Sequence, residues 1–274
     1  GHVPGSAQAN KRPYHKDLPQ QVADALTTDV NEIDPAFVKK YQSIVGALLY
    51  CATNTRPDIA YAVSMLCRAM ARPTPELYDA ALQVLYYLYR TRDLGLTYET
   101  DDREMYGMSD SDWAVKHSTS GQVFVFNQAA ISWGSKKQKS VALSSCEAEI
   151  VAASEAATEA VHLERFIREF DLKDTEPIEL FVDNKSAIDV AYNPEHHTRM
   201  KHVERRHFFV RELVEEHKIR VPFVSTVDNL ADFFTKVIEG PQFFSLRDRV
   251  MNIPPAASRA SDPSPGLESR GGVE

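Results

Sequence analysis

"YGMSDSDWA", Tyr106 to Ala114, reads as a short strand that ends on two aspartates, Asp110 and Asp112, just before Trp113. Carboxylates at a strand end either form turns or hold something, and the two readings separate by position. The strand still fixes the backbone at Asp110, so that side chain can be held as a ligand. Asp112 reads as a turn-forming residue beyond the strand, and it is the fallback candidate.

The period of the chain changes on either side of this stretch. Before it, apolar residues recur every three to four positions, as in Ile59, Val63, Leu66, Met70 and then Leu77, Ala81, Val84, Leu88. That spacing predicts helices with one buried face. Asp34-Pro35, Arg56-Pro57 and Thr74-Pro75 each read as a cap followed by proline at the first helical position. From Gly95, "GLTYE", "MYGMSD", "QVFVFN" and "AISWGS" are short and rich in aromatic and β-branched residues, which predicts strands. A long helix is expected from Ser145 to about Phe170. After it come a strand at "IELFVD", helices at "NKSAIDVAYN" and "VERRHFFVRELVEEH", a strand at "RVPFVS" and a last helix at "NLADFFTKVI". The order β-β-β-α-β-α-α-β-α calls for an α/β fold with a mixed sheet, an antiparallel meander first and helical crossovers after it.

The ends of the chain are expected to be irregular. Residues 1–33 read as a polar leader or linker, and 252–274 as a disordered tail of Pro, Ser, Ala, Gly and scattered charge. The opening "GHVPGS", without an initiator Met, reads as the start of a fragment or processed product. The 274 residues are 43% hydrophobic and 26% charged, ordinary for a globular protein. No apolar run approaches the roughly 20 residues of a membrane span. Cys51, Cys67 and Cys146 lie too far apart for a disulfide framework or zinc pattern, which favours a reducing compartment. The net charge of -8 argues against indiscriminate nucleic-acid binding, but not against a local basic groove.

Four carboxylates stand out by setting: Asp110, Glu149, Asp183 and Asp232. "SSCE" puts Ser144 at a helix cap and Glu147 at capping-box spacing, so Glu147 has a local role. Glu149 instead lines up with Ala152, Ala153, Ala156, Leu163 and Ile167, the stripe expected to pack on the sheet. A buried carboxylate there needs a partner or a cation. Asp183 follows "IELFV" and is either the cap of the next helix or a ligand at the carboxyl end of a strand. Asp232 lies off the apolar stripe Leu230, Phe233, Phe234, Val237 and taken alone reads as a solvated carboxylate, with Asp228 as its helix's cap. Carboxylates gathered beside one sheet would repel one another unless cations held them, and Mg²⁺ is the natural occupant of such oxygen sites.

In family order, "YQSIVGALLY", "TRPDIAYAV", "AALQVLYYL", "GLTY", "SDSDWA", "STSG", "ISWGSKKQKSVALSSCEAE", "VDNKSAI", "HTRMKHV" and "NLADFFTK" span about Tyr41 to Lys236. In these the chain resembles the C-terminal part of the Pol polyprotein of copia-type LTR retrotransposons, the end of the reverse transcriptase followed by ribonuclease H. The resemblance implies a ribonuclease H-like five-stranded mixed sheet flanked by helices over 101–251. Before it, 34–100 would be a small helical remnant of the reverse transcriptase. It implies hydrolysis of the RNA strand of an RNA–DNA hybrid at Asp110, Glu149, Asp183 and Asp232, holding two Mg²⁺ ions with Mn²⁺ as a substitute. The rest of the Pol polyprotein is expected in cis, with no membrane partner. The location is expected to be cytoplasmic, with a virus-like particle or the nucleus as alternatives. Gln122, Cys146 and Val182 depart from the family's usual residues, and none of them is among the four carboxylates.

"YETDD", Tyr98 to Asp102, has the wrong spacing and place for a polymerase motif, so no polymerase activity is expected. Substrate contacts are expected from Lys136 and Lys137 in "WGSKKQKS" and from Arg199, Lys201 and Arg205 in "HHTRMKHVERRHFFVR". Ser111 and Asn184 are candidates to read the 2′-hydroxyl. The alternative to a nuclease is a catalytically inactive nucleic-acid-binding remnant. A recombinase of the same fold class has no place for "VALSSCEAE" or "NLADFFTK".

Overall fold

A computed structural model describes residues 12–100, 104–114, 117–170, 177–192 and 204–254. Its centre is a five-stranded sheet of order β3-β2-β1-β4-β5. The strands are β1 (Met105–Asp112), β2 (Thr119–Phe126), β3 (Ala129–Lys137), β4 (Ile178–Val182) and β5 (Ile219–Arg220). β1, β2 and β3 form the antiparallel meander, and β4 and β5 run parallel to β1. The β2–β3 hairpin turns through Asn127 and Gln128, with φ of 52° and 70°, as a two-residue turn that follows the strand twist requires.

Helices α1 (Leu18–Ala25), α2 (Pro35–Asn54), α3 (Ala60–Cys67) and α4 (Pro75–Arg90) precede the sheet. The Asp34 side chain accepts from Ala36 N and that of Thr74 from Leu77 N, as their sequence positions suggest. Arg56 does not cap. Its guanidinium is buried against Asp58, and the Tyr87 hydroxyl donates to the same carboxylate at 2.6 Å. Later elements are α5 (Ser145–Glu169), α6 (Lys185–Tyr192), α7 (Glu204–Glu215), a 3-10 helix at Leu230–Phe234 and α8 (Gly240–Met251).

Strand alternation gives the sheet two different faces. Met105, Phe124, Leu180 and Val182 point to the face covered by α5, α6 and α7. Met108, Val123 and Val125 point to the other face. There they share one core with α1–α4, the 3-10 helix and α8, through residues such as Tyr41, Leu66, Tyr87, Phe234 and Phe243. Trp133 Nε1 donates to Ala52 O at 2.7 Å and Ser64 Oγ to Ser135 O at 2.9 Å, tying the helical segment to β3.

Several expectations change. Residues 18–25, expected to be irregular, form α1, because Leu18, Val22 and Ala25 are buried at helical spacing. "GLTYE" joins no strand; Thr97 N bonds Met251 O and Glu99 N bonds Asn127 O outside the sheet. "RVPFVS" supplies only Arg220 to β5, whose other residue, Ile219, precedes it, and an isolated bridge at Phe223. Pro222, between them, has no N–H to give to the ladder. "NLADFFTKVI" yields a five-residue 3-10 helix, and α8, which was not expected, closes the core behind it. The tail from residue 255 lies outside the described residues.

Candidate metal and nuclease site

The β1 strand runs through Asp112, so position along the strand does not separate the two aspartates. Asp110 and Asp112 share a face, and burial separates them: Asp110 is 4% exposed, while Asp112 is exposed at the rim. Asp110 stands opposite Gly121 of β2 in register.

Three elements converge on Asp110: α5, the end of β4 and the 3-10 helix. The α5 helix brings Glu149 from one face of the sheet. Its start is fixed by Ser144, which accepts from Glu147 N, while Glu147 Oε2 accepts from Leu143 N at 2.7 Å. Glu147 is therefore occupied in the cap, reaching Leu143 rather than Ser144, and Glu149 is left to face the sheet. Ser111 donates twice to Glu149 Oε1, from its amide at 3.2 Å and its hydroxyl at 2.8 Å. The other oxygen, Oε2, is buried without a partner.

Asp183 follows β4. Its neighbour Asn184 caps α6, accepting from Ala187 N at 3.1 Å. The cap role that competes for Asp183 therefore belongs to Asn184. Oxygens of Asp110, Glu149 and Asp183 all lie within 4.8 Å of one another.

Asp232 comes from the opposite face, on the 3-10 helix. It is 2% exposed, not solvated as its place off the apolar stripe suggests. Asn229, not Asp228, caps this helix, accepting from Ala231 N at 3.0 Å, and its amide donates to Ser109 O. Asp228 is engaged instead with the Ser225 hydroxyl. The Thr235 hydroxyl donates to Asp110 Oδ2. Lys236 pairs with Asp232 Oδ2 at 2.8 Å, while Asp232 Oδ1 is buried without a partner.

Electrostatics record the crowding. Asp110 is pushed up to about 6, by burial first and then by Asp232, with the Thr235 hydroxyl opposing. Glu149 is pushed up to about 8, by burial and then by Asp110, against the Ser111 hydrogen bonds. Asp183 is raised by burial and by Asp110, with Thr226 and Asn229 opposing. Burial and mutual repulsion thus oppose ionisation at all three carboxyls, and the Lys236 ammonium favours it at Asp110 and Asp183. A divalent cation fits this donor set: hard oxygens, three elements and a buried oxygen on Glu149 with no other partner.

Of the expected nucleic-acid contacts, Ser111 and Asn184 are already hydrogen-bonded within the protein. Lys136 and Lys137 are exposed at the end of β3, opposite Ser120 and Thr119. Ser120 in turn stands opposite Ser111, which places Lys136 two strands from the site, about 10 Å away. Arg199, Lys201 and the side chain of Arg205 lie outside the described residues.

Three residues at the site escaped the sequence reading. Gly121 is the most consequential. A Cβ there would meet Thr235 Cγ2 at 2.6 Å and Ala231 O at 2.8 Å. Its bareness lets the 3-10 helix lie directly on the sheet, and a glycine inside a strand pattern signals such a close approach. Thr235 and Lys236 are the others, and the i,i+4 spacing of Asp232 and Lys236 was the available signal.

The sheet order, with a meander joined to parallel strands and helices on both faces, is that of a ribonuclease H-like fold. No protein-family model matches the chain. It is 39% identical over 214 residues to the retrovirus-related Pol polyprotein from transposon TNT 1-94 of Nicotiana tabacum, covering 77% of this chain and 16% of that protein. It is 36% identical over 224 residues to the corresponding polyprotein from transposon RE2 of Arabidopsis thaliana, covering 79% and 15%. Among solved structures, the N-terminal ribonuclease H domain of a Mycobacterium tuberculosis protein is similar at 13% identity and a TM-score of 0.39, covering 58% of this chain and 99% of that one. The chain is homologous to part of these retrovirus-related Pol polyproteins and spans about a sixth of their length. Among the described residues, no helix is long and apolar enough to cross a membrane.

Proposed function

We propose that this chain carries a metal-dependent endonuclease centre that hydrolyses the RNA strand of RNA–DNA hybrids during retrotransposon reverse transcription. The observation that carries this reading is the convergence of Asp110, Glu149 and Asp183 oxygens within 4.8 Å. Asp110, Glu149, Asp183 and Asp232 would hold Mg²⁺, with Mn²⁺ as a substitute. Bound there, the cation supplies electrostatic stabilisation of the charge that builds on the phosphoryl group.

The chain's own residues position the ligands. Thr235 orients Asp110, and Ser111 fixes one oxygen of Glu149 so that the other faces inward. Asn184 takes the cap role, so Asp183 is not required there and can serve the site. Lys136 and Lys137 contribute positive charge where a phosphate backbone would pass, supplemented by Arg199, Lys201 and Arg205.

Residues 34–100 are proposed as the C-terminal region of the polymerase and 101–251 as the ribonuclease H unit. The remaining polyprotein is proposed to act in cis and the protein to work in the cytoplasm.

A labelled hybrid tests the reading. It should be cut in Mg²⁺ while duplex DNA is spared. Asp110→Asn and Glu149→Gln should each lower the rate roughly a thousandfold, as removing a transition-state contact does. Cutting that survives both substitutions would refute the assignment. Hybrid binding without cutting by the unaltered chain would instead identify an inactive binding remnant.

A further inference from the structure

The four carboxylates of the proposed centre are not equivalent in their access to a cation. Asp110, Glu149 and Asp183 bring their oxygens within 4.8 Å of one another; the Lys236 ammonium acts on Asp110 and Asp183, but its direct ion pair is with Asp232. Asp232 is outside that group, and its Oδ2 is held by the ammonium of Lys236 at 2.8 Å. The pair is asymmetric: the carboxylate side chain is 3% exposed and the lysine side chain 38%. The lysine therefore reaches in from solvent along its apolar stem to meet a fixed, buried anion. Asp232 Oδ1 is left without a partner. A divalent ion bound by Asp232 would have to sit beside this ammonium, and the like charges would oppose each other in a partly buried setting.

We propose that Lys236 is a built-in cation that occupies Asp232 in place of a second divalent ion. In the absence of nucleic acid, the protein then takes one divalent ion, at Asp110, Glu149 and Asp183. The fourth carboxylate becomes a ligand only when Lys236 gives way. The inference rests on the proposed metal centre, and its consequence is that ion loading is sequential, with Lys236 setting the threshold of the second step.

The test counts bound Mn²⁺ on the full chain without nucleic acid, from the paramagnetic resonance signal of the free ion. The unaltered chain should bind one equivalent. Lys236→Met should bind two, or bind the second on the order of tenfold more tightly, a difference of about 1.4 kcal/mol. Lys236→Arg, which keeps the positive charge, should stay at one. Asp232→Asn should also retain the single equivalent, and this variant decides the matter should Lys236→Met fail to fold.

Two equivalents on the unaltered chain, unchanged binding in Lys236→Met, or loss of the first ion in Asp232→Asn would each overturn the role of Lys236 and leave the nuclease centre standing. No bound Mn²⁺ at all would overturn the centre itself, and this inference with it.

Discussion

Glu149 and Asp232 reach the same strand end from opposite faces of the sheet, and they are held in opposite ways. Glu149 rides on a 25-residue helix whose alanine stripe is buried along most of its length. Its position is fixed by many small contacts and by the Ser144 cap. Asp232 rides on five residues of 3-10 helix, fixed by the close approach at Gly121, the Asn229 cap and the ion pair to Lys236. The first arrangement is redundant and the second is not. Damage to a single contact should therefore reach the centre far more easily from the Asp232 side.

The largest effect should appear on stability in the absence of metal, and it belongs to Glu149. Its pKa is raised from 4.5 to about 8, so the folded state binds a proton that the unfolded chain has released. The stability tied to that proton is fully present below about pH 4.5 and is lost as pH rises through about 8. Asp110 adds the same sign between 3.8 and about 6. In chelator, the melting temperature should fall over this range by an amount equivalent to a few kcal/mol. Glu149→Gln should flatten the profile, and a profile that rises with pH would contradict the account.

Next is Gly121→Ala. The added Cβ meets backbone at Ala231 O, so the 3-10 helix must move, carrying Asp232 and Thr235 with it. Hybrid cleavage should fall about 100-fold, the cost of misplacing reacting groups by roughly an ångström. Gly46→Ala is the control, since an added Cβ there meets nothing within 4 Å. Equal activity in the two variants would show that the Asp232 side is no more fragile than the Glu149 side.

Thr235→Val keeps the shape and removes the hydrogen bond to Asp110. Affinity for Mn²⁺ should drop about 10-fold or more, as losing a group that orients a ligand typically does. Isothermal titration would measure it. Asp112→Asn should have the smallest effect. Its side chain is at the exposed rim, and its rate should stay within about threefold of the unaltered chain, equivalent to about 0.5 kcal/mol.

The same contrast decides what was legible in the sequence. Glu149 was separable from Glu147 because a cap and an apolar stripe are local patterns. The strands β1 to β4, α2, α4 and α5 carry such patterns and could be read. Asp232 looked solvated because its 3-10 helix packs on β1 and β2, both distant in sequence. Asp183 was ambiguous until Asn184 was seen to take the cap. Asp110 was preferred over Asp112 for a reason that does not hold, since the strand includes both. Burial under the 3-10 helix is what distinguishes them, and Gly121 makes that burial possible. Helix α1 is weakly signalled because only Leu18, Val22 and Ala25 of its eight residues are buried, and the helices they pack on are not local.

The core that joins α1–α4 to Met108, Val123, Val125 and Phe234 also contains Leu230, Ala231 and Phe233. These three flank Asp232 in the 3-10 helix. A chain begun at residue 101 would keep all four carboxylates yet leave that helix lying on one layer instead of between two. The first hundred residues supply none of the proposed ligands, and the placement of Asp232 still depends on them.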